Sequence, residues 1–215
     1  MMELWLLGSL IVLAAGVLFR EKIYAEWHAF RTDWKRWVRV IWKEWGEPFL
    51  VAAVIAVLIR TFLLGPYKIP TGSMRTTLLE GDRIFVDKIT YRFRPPERGE
   101  IIVFKYPLDP KKDFVKRLIA FGGEEVEIRD GSVWIDGKRL EDPVEIRSHY
   151  YHNRSDWAYA KEGQRIKIPA DSFFVLGDNS SQSSDSRNCG FVPRSYLIGR
   201  AFLIWWPLDR FGFVS

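Results

Sequence analysis

Glu125-Val126-Glu127-Ile128-Arg129-Asp130-Gly131-Ser132-Val133-Trp134-Ile135-Asp136-Gly137-Lys138-Arg139-Leu140 decides the fold class. Short β-rich runs alternate apolar and polar side chains, and two Asp-Gly pairs separate them. Asp-Gly supplies the two left-handed residues of a tight hairpin turn, so the stretch predicts strands folded back on one another. The alternation continues outward in both directions. Residues 83–94, 100–106 and 113–121 read as strands before it, and residues 164–168, 172–176 and 199–206 as strands after it. The expectation is a mostly β fold: a strand-rich catalytic-sized domain of coiled antiparallel sheets over residues 65–215, around one core. Residues 141–163 are polar and aromatic without a period and read as a loop, which carries His149 and His152.

Before residue 65 the pattern is helical. Residues 4–19 form an uncharged run closed by Arg20, and with Met1 and Met2 the run is just long enough to span a bilayer. A secretory signal begins with basic residues, whereas the only charge before this run is Glu3, so residues 1–19 are expected to be a first transmembrane helix. A second apolar run, residues 49–59, continues past Arg60 to Leu64. At about 24 Å it is short for a bilayer core, but paired with the first run it is expected to be a second span over 48–64, with Arg60 snorkelling to the interface. Between the two, residues 20–47 carry seven Lys and Arg and five of the ten tryptophans: Trp27, Trp34, Trp37, Trp42 and Trp45. Their three-and-four spacing predicts an amphipathic helix lying in the headgroup layer. Short basic loops stay in the cytoplasm, which places everything after residue 64 outside it.

Composition narrows the function classes. With 32 basic and 27 acidic residues, the net charge of +5 is mild and scattered, so no nucleic-acid partner is expected. The single cysteine, Cys189, rules out an intrachain disulfide, and three histidines are too few for a convincing zinc site. No cofactor and no metal are expected.

Three segments carry the chemistry. Ile69-Pro70-Thr71-Gly72-Ser73-Met74 places a serine beside a glycine, which permits the close backbone approach that a nucleophile and its oxyanion donors need. Alone, Thr-Gly-Ser is equally the composition of a turn. In Asp113-Phe114-Val115-Lys116-Arg117-Leu118-Ile119 the period of two sets Lys116 between Phe114 and Leu118 on one face. A lysine there loses solvation, which lowers its pKa and yields a neutral amine; the plainer alternative is an edge-strand lysine. Gly177-Asp178-Asn179-Ser180-Ser181-Gln182-Ser183-Ser184-Asp185-Ser186-Arg187, followed by Gly190-Phe191-Val192-Pro193, is by itself a serine-rich loop.

Together these blocks, with Gly81-Asp82 to Lys88 and Arg98-Gly99-Glu100 to Phe104 between them, resemble the type I signal peptidases (the bacterial leader peptidase family). Five blocks occur in the family's order after a candidate span. The resemblance implies a β-rich catalytic domain on one or two N-terminal anchors, in the cell membrane with the catalytic domain on the extracytoplasmic side. It implies a serine endopeptidase with Ser73 as nucleophile and Lys116 as general base. The Ser73 N–H and the Thr71 hydroxyl would form the oxyanion hole, Ser183 would orient the lysine, and Asp185 with Arg187 would form a supporting ion pair. Tyr67, Ile69, Leu78 and Val115 are the matching pocket walls. Implied partners are exported preproteins with Ala-x-Ala-type cleavage sites, membrane lipids and the export translocon. One departure is Thr76, where the family usually has proline.

The rival readings are a specialised Ser/Lys peptidase with a single client, a catalytically inactive membrane adaptor, and a Ser-His-Asp hydrolase using His149 or His152. Ser73, Lys116, Ser183 and Asp185 are all in place, which disfavours the adaptor, and no nucleophile elbow accompanies the histidines.

Overall fold

The two Asp-Gly pairs fold as expected. In the computed structural model, Asp130 and Gly131 adopt φ of 51° and 70°, and Asp136 and Gly137 adopt 50° and 77°, the left-handed pair that a tight hairpin requires. The model describes residues 20, 24, 27, 28, 30–58, 60, 64–154 and 156–214. By contacts the chain divides into two compact units, Met1–Val57 and Leu58–Ser215.

Among the described residues of the second unit there are twelve strands: β1 Leu64–Lys68, β2 Arg83–Asp87, β3 Ile101–Tyr106, β4 Asp109–Phe121, β5 Glu125–Arg129, β6 Ser132–Ile135, β7 Lys138–Arg139, β8 Ile166–Lys167, β9 Ser172–Leu176, β10 Val192–Pro193, β11 Leu197–Trp206 and β12 Gly212–Phe213. They form an eight-stranded sheet ordered β1-β2-β11-β3-β4-β9-β10, with β12 on β11, and a four-stranded sheet ordered β7-β6-β5-β8. Every pairing is antiparallel. The domain is mostly β, as the alternation requires.

Burial explains why β4 occupies the interior of the large sheet. Its residues Lys116, Arg117, Leu118, Ile119 and Ala120 are all buried, so the strand is covered on both faces. Ile119 and Ala120 pack with Val126, Ile128 and Leu176 in one core cluster, whereas Leu118 packs with Ile102 and Val175 in another. A third cluster, with Ile69, Met74, Leu78 and Ile84, lies under the turn that carries Ser73.

Several boundaries depart from the sequence reading. The strand expected over 83–94 ends at Asp87, because the Asp87 carboxylate accepts from the N–H groups of Ile89 (2.8 Å) and Thr90 (3.0 Å). That cap turns the chain into the one-turn helix Thr90–Phe93. Leu64, expected to end a membrane helix, opens β1 opposite Asp87. The two-residue strands β7, β8, β10 and β12 complete the sheets at their margins.

In the first unit, helix Trp34–Ile41 is capped by Asp33, whose side chain accepts from Arg36 N at 3.0 Å, so the expected single helix over 20–47 is interrupted there. A π-helical turn, Trp42–Gly46, leads into helix Glu47–Leu58. Among the described residues no helix is long and apolar enough to cross a membrane. The first span expected over 1–19 lies outside the described residues.

Candidate active site

A 3-10 turn, Gly72–Met74, follows β1 and carries Ser73. Its position is fixed from both sides. Ile69 N donates to Asp82 O at 2.8 Å and Gly81 N to Ile69 O at 2.9 Å, while Met74, 1% exposed, anchors the turn in the core. Strand β4 brings Lys116 to the same place. Lys116 Nζ donates to Ser73 Oγ at 2.7 Å and to its neighbour's carbonyl, Val115 O, at 2.8 Å. Both side chains are buried, with Ser73 8% and Lys116 3% exposed. The amine also sits 5.4 Å from the centre of the Phe114 ring.

Burial dominates the electrostatics of this lysine. Desolvation penalises the ammonium and lowers its pKa from 10.5 to about 8, against a smaller opposing pull from Asp185, Cys189 and Asp178. At that value a substantial fraction is neutral near pH 8, so the amine can take a proton from Ser73. Cys189 is no competitor as a nucleophile: burial pushes its thiol up to about 12, which keeps it protonated.

The loop after β9 packs against the Ser73 turn through its backbone. Asn179 N donates to Ser73 O at 3.1 Å, and Asn179 Nδ2 donates to Gly72 O at 2.9 Å. A Cβ on Gly177 would overlap the Ser183 hydroxyl and come 2.5 Å from Ser73 O. The two serines are therefore neighbours across a position with room only for glycine. Ser183 Oγ is buried and has no hydrogen-bond partner among the described residues, so the bond expected to Lys116 is not formed.

Asp185 and Arg187 do meet. Arg187 Nε and Nη2 donate to the two Asp185 oxygens at 2.8 and 2.7 Å, and both side chains are at most 1% exposed. The Asp185 carboxylate also accepts from Gly177 N at 3.0 Å, linking the ion pair to the glycine behind Ser73. Arg187 further donates to His152 O and Ser180 O and lies over the Trp157 ring.

A second buried pair has no counterpart among the residues picked from sequence. Arg117 Nε and Nη2 donate to Asp178 Oδ1 and Oδ2, each at 2.8 Å, and Arg117 Nη1 donates to Gly99 O at 2.7 Å. Thr77 Oγ1 donates to the same carboxylate at 2.5 Å. The signal was present: an arginine inside an apolar strand needs a buried acid, and Gly177-Asp178-Asn179 offers one after the next strand of the sheet.

The remaining expected residues scatter. Thr71 is exposed, precedes the Ser73 turn and makes no side-chain capping bond to it. Tyr67 and Val115 are partly exposed; the Tyr67 hydroxyl donates to Asp113 at 3.1 Å, and burial with that carboxylate raises it to about 12. Ile69 (4%) and Leu78 (0%) are core, so Leu78 offers no wall to a ligand. His149 Nδ1 lies 2.5 Å from Glu145 O and its Nε2 is 4.0 Å from Asp178, so the ring meets the Arg117–Asp178 pair. Among the described residues no His, Cys, Asp and Glu grouping fits a metal ion.

The chain is similar to known proteins over most of its length. Residues 42–206 match the family model described as signal peptidase, peptidase S26. A probable signal peptidase I-2 from Synechocystis sp. is 40% identical over 180 residues, covering 81% of this chain and 78% of that one. A signal peptidase I from Leptolyngbya laminosa is 42% identical over 170 residues, covering 75% and 78%. Signal peptidase I T from Bacillus subtilis (strain 168) is 32% identical over 168 residues, covering 78% and 86%. With its matched region holding the Ser73 turn, β4 and the loop that follows β9, the chain belongs to the signal peptidases of peptidase family S26.

Proposed function

We propose that this signal peptidase cuts exported preproteins through a Ser73–Lys116 dyad. The observation that carries the reading is the 2.7 Å hydrogen bond between Lys116 Nζ and Ser73 Oγ in a buried setting that lowers the lysine pKa to about 8. Neutral Lys116 takes the Ser73 proton as Oγ attacks the scissile carbonyl. The resulting oxyanion is received by the Ser73 N–H, which as the second residue of its turn has no partner inside it, and by the Thr71 hydroxyl. Protonated Lys116 then gives its proton to the leaving amine. The acyl-enzyme is released by a water whose proton the lysine takes in turn. Ser183, buried and unpaired, supplies an acceptor for the ammonium, and the Asp185–Arg187 pair holds Gly177 and its loop in register behind the nucleophile.

The same reading places the enzyme in the cell membrane with the domain over residues 65–215 outside the cytoplasm. Its support is the helix Glu47–Leu58, whose Phe49, Leu50, Val51, Val54, Ile55 and Val57 are all exposed. A helix apolar all round needs a nonpolar surrounding, and lipid supplies one. Residues 1–19 and 48–63 are the proposed spans, the second now ending before Leu64, and residues 20–47 the basic cytoplasmic connection. Clients end their signal peptides in small residues of the Ala-x-Ala type. Tyr67 and Val115 are the pocket walls that remain open, and delivery comes from the export translocon.

The decisive experiment is cleavage of a purified preprotein by the full chain in detergent. Ser73→Ala, Lys116→Ala and the double variant are each expected to lose activity to the same residual level, because members of one catalytic unit are not additive. Near-normal turnover by Lys116→Ala would overturn the dyad.

A further inference from the structure

A cleft of about 340 Å³ opens in the second unit, lined by Lys88, Arg92 and Arg194 together with Tyr91, Leu197 and Ile198. None of these belongs to the Ser73–Lys116 cluster. Its size falls at the lower end of small-ligand sites, roughly 300–1,000 Å³. Its charge is one-sided. No acidic residue lines it, and the guanidinium groups of Arg92 and Arg194 are exposed and form no ion pair among the described residues. The nearby acids are already engaged. Glu100 accepts from the Tyr91 hydroxyl at 3.0 Å and is paired with Arg94 and Arg200, and Asp87 caps the Thr90–Phe93 turn. The two exposed guanidinium groups of Arg92 and Arg194, beside Leu197 and Ile198, suit a phosphate group, which guanidinium forks bind bidentately.

Two neighbours say where that phosphate comes from. Phe93 follows Arg92 on the same helical turn and is 83% exposed, an aromatic side chain with nothing in the domain to cover it. A Cβ on Gly65 would sit 3.0 Å from Lys88 Cε, so the cleft adjoins the first residues of β1. Five residues separate Leu58 of the apolar helix from Leu64, a span of six Cα steps that is at most about 21 Å when extended. We propose that this cleft binds the phosphate of an anionic membrane lipid, with Phe93 entering the acyl boundary beside it. The inference rests on the membrane attachment proposed above.

The test titrates phosphatidylglycerol carrying a fluorescent acyl chain into the full chain in uncharged detergent. Phosphatidylcholine, inorganic phosphate and an acidic peptide serve as separate arms. Saturable phosphatidylglycerol binding is expected, weakened at least tenfold in Arg92→Gln/Arg194→Gln, since each charge near an anionic headgroup is worth about fivefold. Arg92→Lys/Arg194→Lys, which keeps the charge, is expected to retain most of the binding and so to separate charge from folding. Lys138→Gln/Lys167→Gln removes two exposed charges from the small sheet and is expected to change binding less than threefold. Equal binding of phosphatidylcholine, or an equal loss in the control pair, would overturn the site. Inorganic phosphate that competes as well as the lipid would assign the cleft to a soluble anion, and a peptide that does so would assign it to a protein; either result overturns the lipid. Preprotein cleavage and membrane sedimentation of the wild-type chain are scored separately. Intact cleavage and sedimentation without lipid preference would sink this inference alone, whereas loss of those two would sink the reading beneath it.

Discussion

Lys116 is held in a state that costs stability and supplies reactivity, and both sides can be measured. Its amine is surrounded by protein and hydrogen-bonds to Ser73 Oγ and Val115 O beside the Phe114 ring. The proposed mechanism needs the neutral form, so kcat/KM is expected to rise with pH through an apparent pKa near 8, well below the ordinary 10.5. A rising limb centred at 10.5 would mean that the amine is solvated in the free enzyme. A limb near 6.5 that vanished in His149→Ala would hand the base role to histidine. Stability responds with a definite sign. Below pH 8 the group is charged in both states and the burial penalty is complete. Between about 8 and 10.5 the unfolded chain holds a proton that the folded one has released, so stability rises with pH across that window. Lys116→Met lacks this dependence. It is expected to be more stable than wild type at pH 7, with the advantage shrinking by up to about 3 kcal/mol towards pH 10.5, measured by urea unfolding. An advantage independent of pH would show that Lys116 is not desolvated.

The elements around the site are locked by groups too large or too small to exchange. Gly177 ends the β9 run where Ser183 and the Ser73 carbonyl converge, and a methyl group there has nowhere to go. Gly177→Ala is expected to keep the fold, by circular dichroism, while cleavage falls at least a hundredfold as the nucleophile's turn is displaced. Asp178 accepts two 2.8 Å bonds from Arg117, in a site that excludes water. Asp178→Ala leaves that guanidinium buried and is expected to cost about 3–5 kcal/mol, and Arg117→Met in the same chain is expected to recover much of it. No recovery would mean that the carboxylate matters for Thr77 or His149 instead. This scale also marks what the residues disclosed beforehand. The Asp-Gly hairpins and the apolar alternation of β3, β4, β9 and β11 were legible because period and turn chemistry are local. Ser73 and Lys116 were legible as types in a setting, and their blocks lie 43 positions apart in the chain. What stayed hidden depends on tertiary partners. The Asp87 cap ends β2 early, Arg117 finds its acid 61 positions later, just after β9, and Leu78 turns into the core rather than towards a ligand.

At the scale of the whole molecule the proposed reading has to say which side of the membrane the dyad faces, and its argument is charge. The connection over 20–47 carries seven Lys and Arg, and four of its five tryptophans, Trp27, Trp34, Trp42 and Trp45, are each more than half exposed, while Trp37 is partly exposed. Arg31 lies 4.4 Å over the Trp27 ring, an arrangement that lets a cation and an aromatic share the headgroup layer. Lys and Arg are retained on the cytoplasmic side when the loop is short, and 28 residues is well below the roughly 60 at which that rule fades. On the proposed topology the β domain lies outside, where exported substrates would emerge. Its stability cannot draw on disulfides there, since Cys189 is the only cysteine, so the large sheet and its three core clusters must suffice. An export-dependent reporter fused after Ser215 is therefore expected to be active, and the same reporter inserted after Thr32 silent. Replacing Arg31, Lys35, Arg36, Arg39 and Lys43 by glutamine is expected to weaken the bias and give both fusions intermediate activity. A silent fusion after Ser215 in the wild-type chain would put Ser73 and Lys116 on the same side as unexported protein. The dyad would then remain chemically competent, but the exported-preprotein substrate would have to be abandoned.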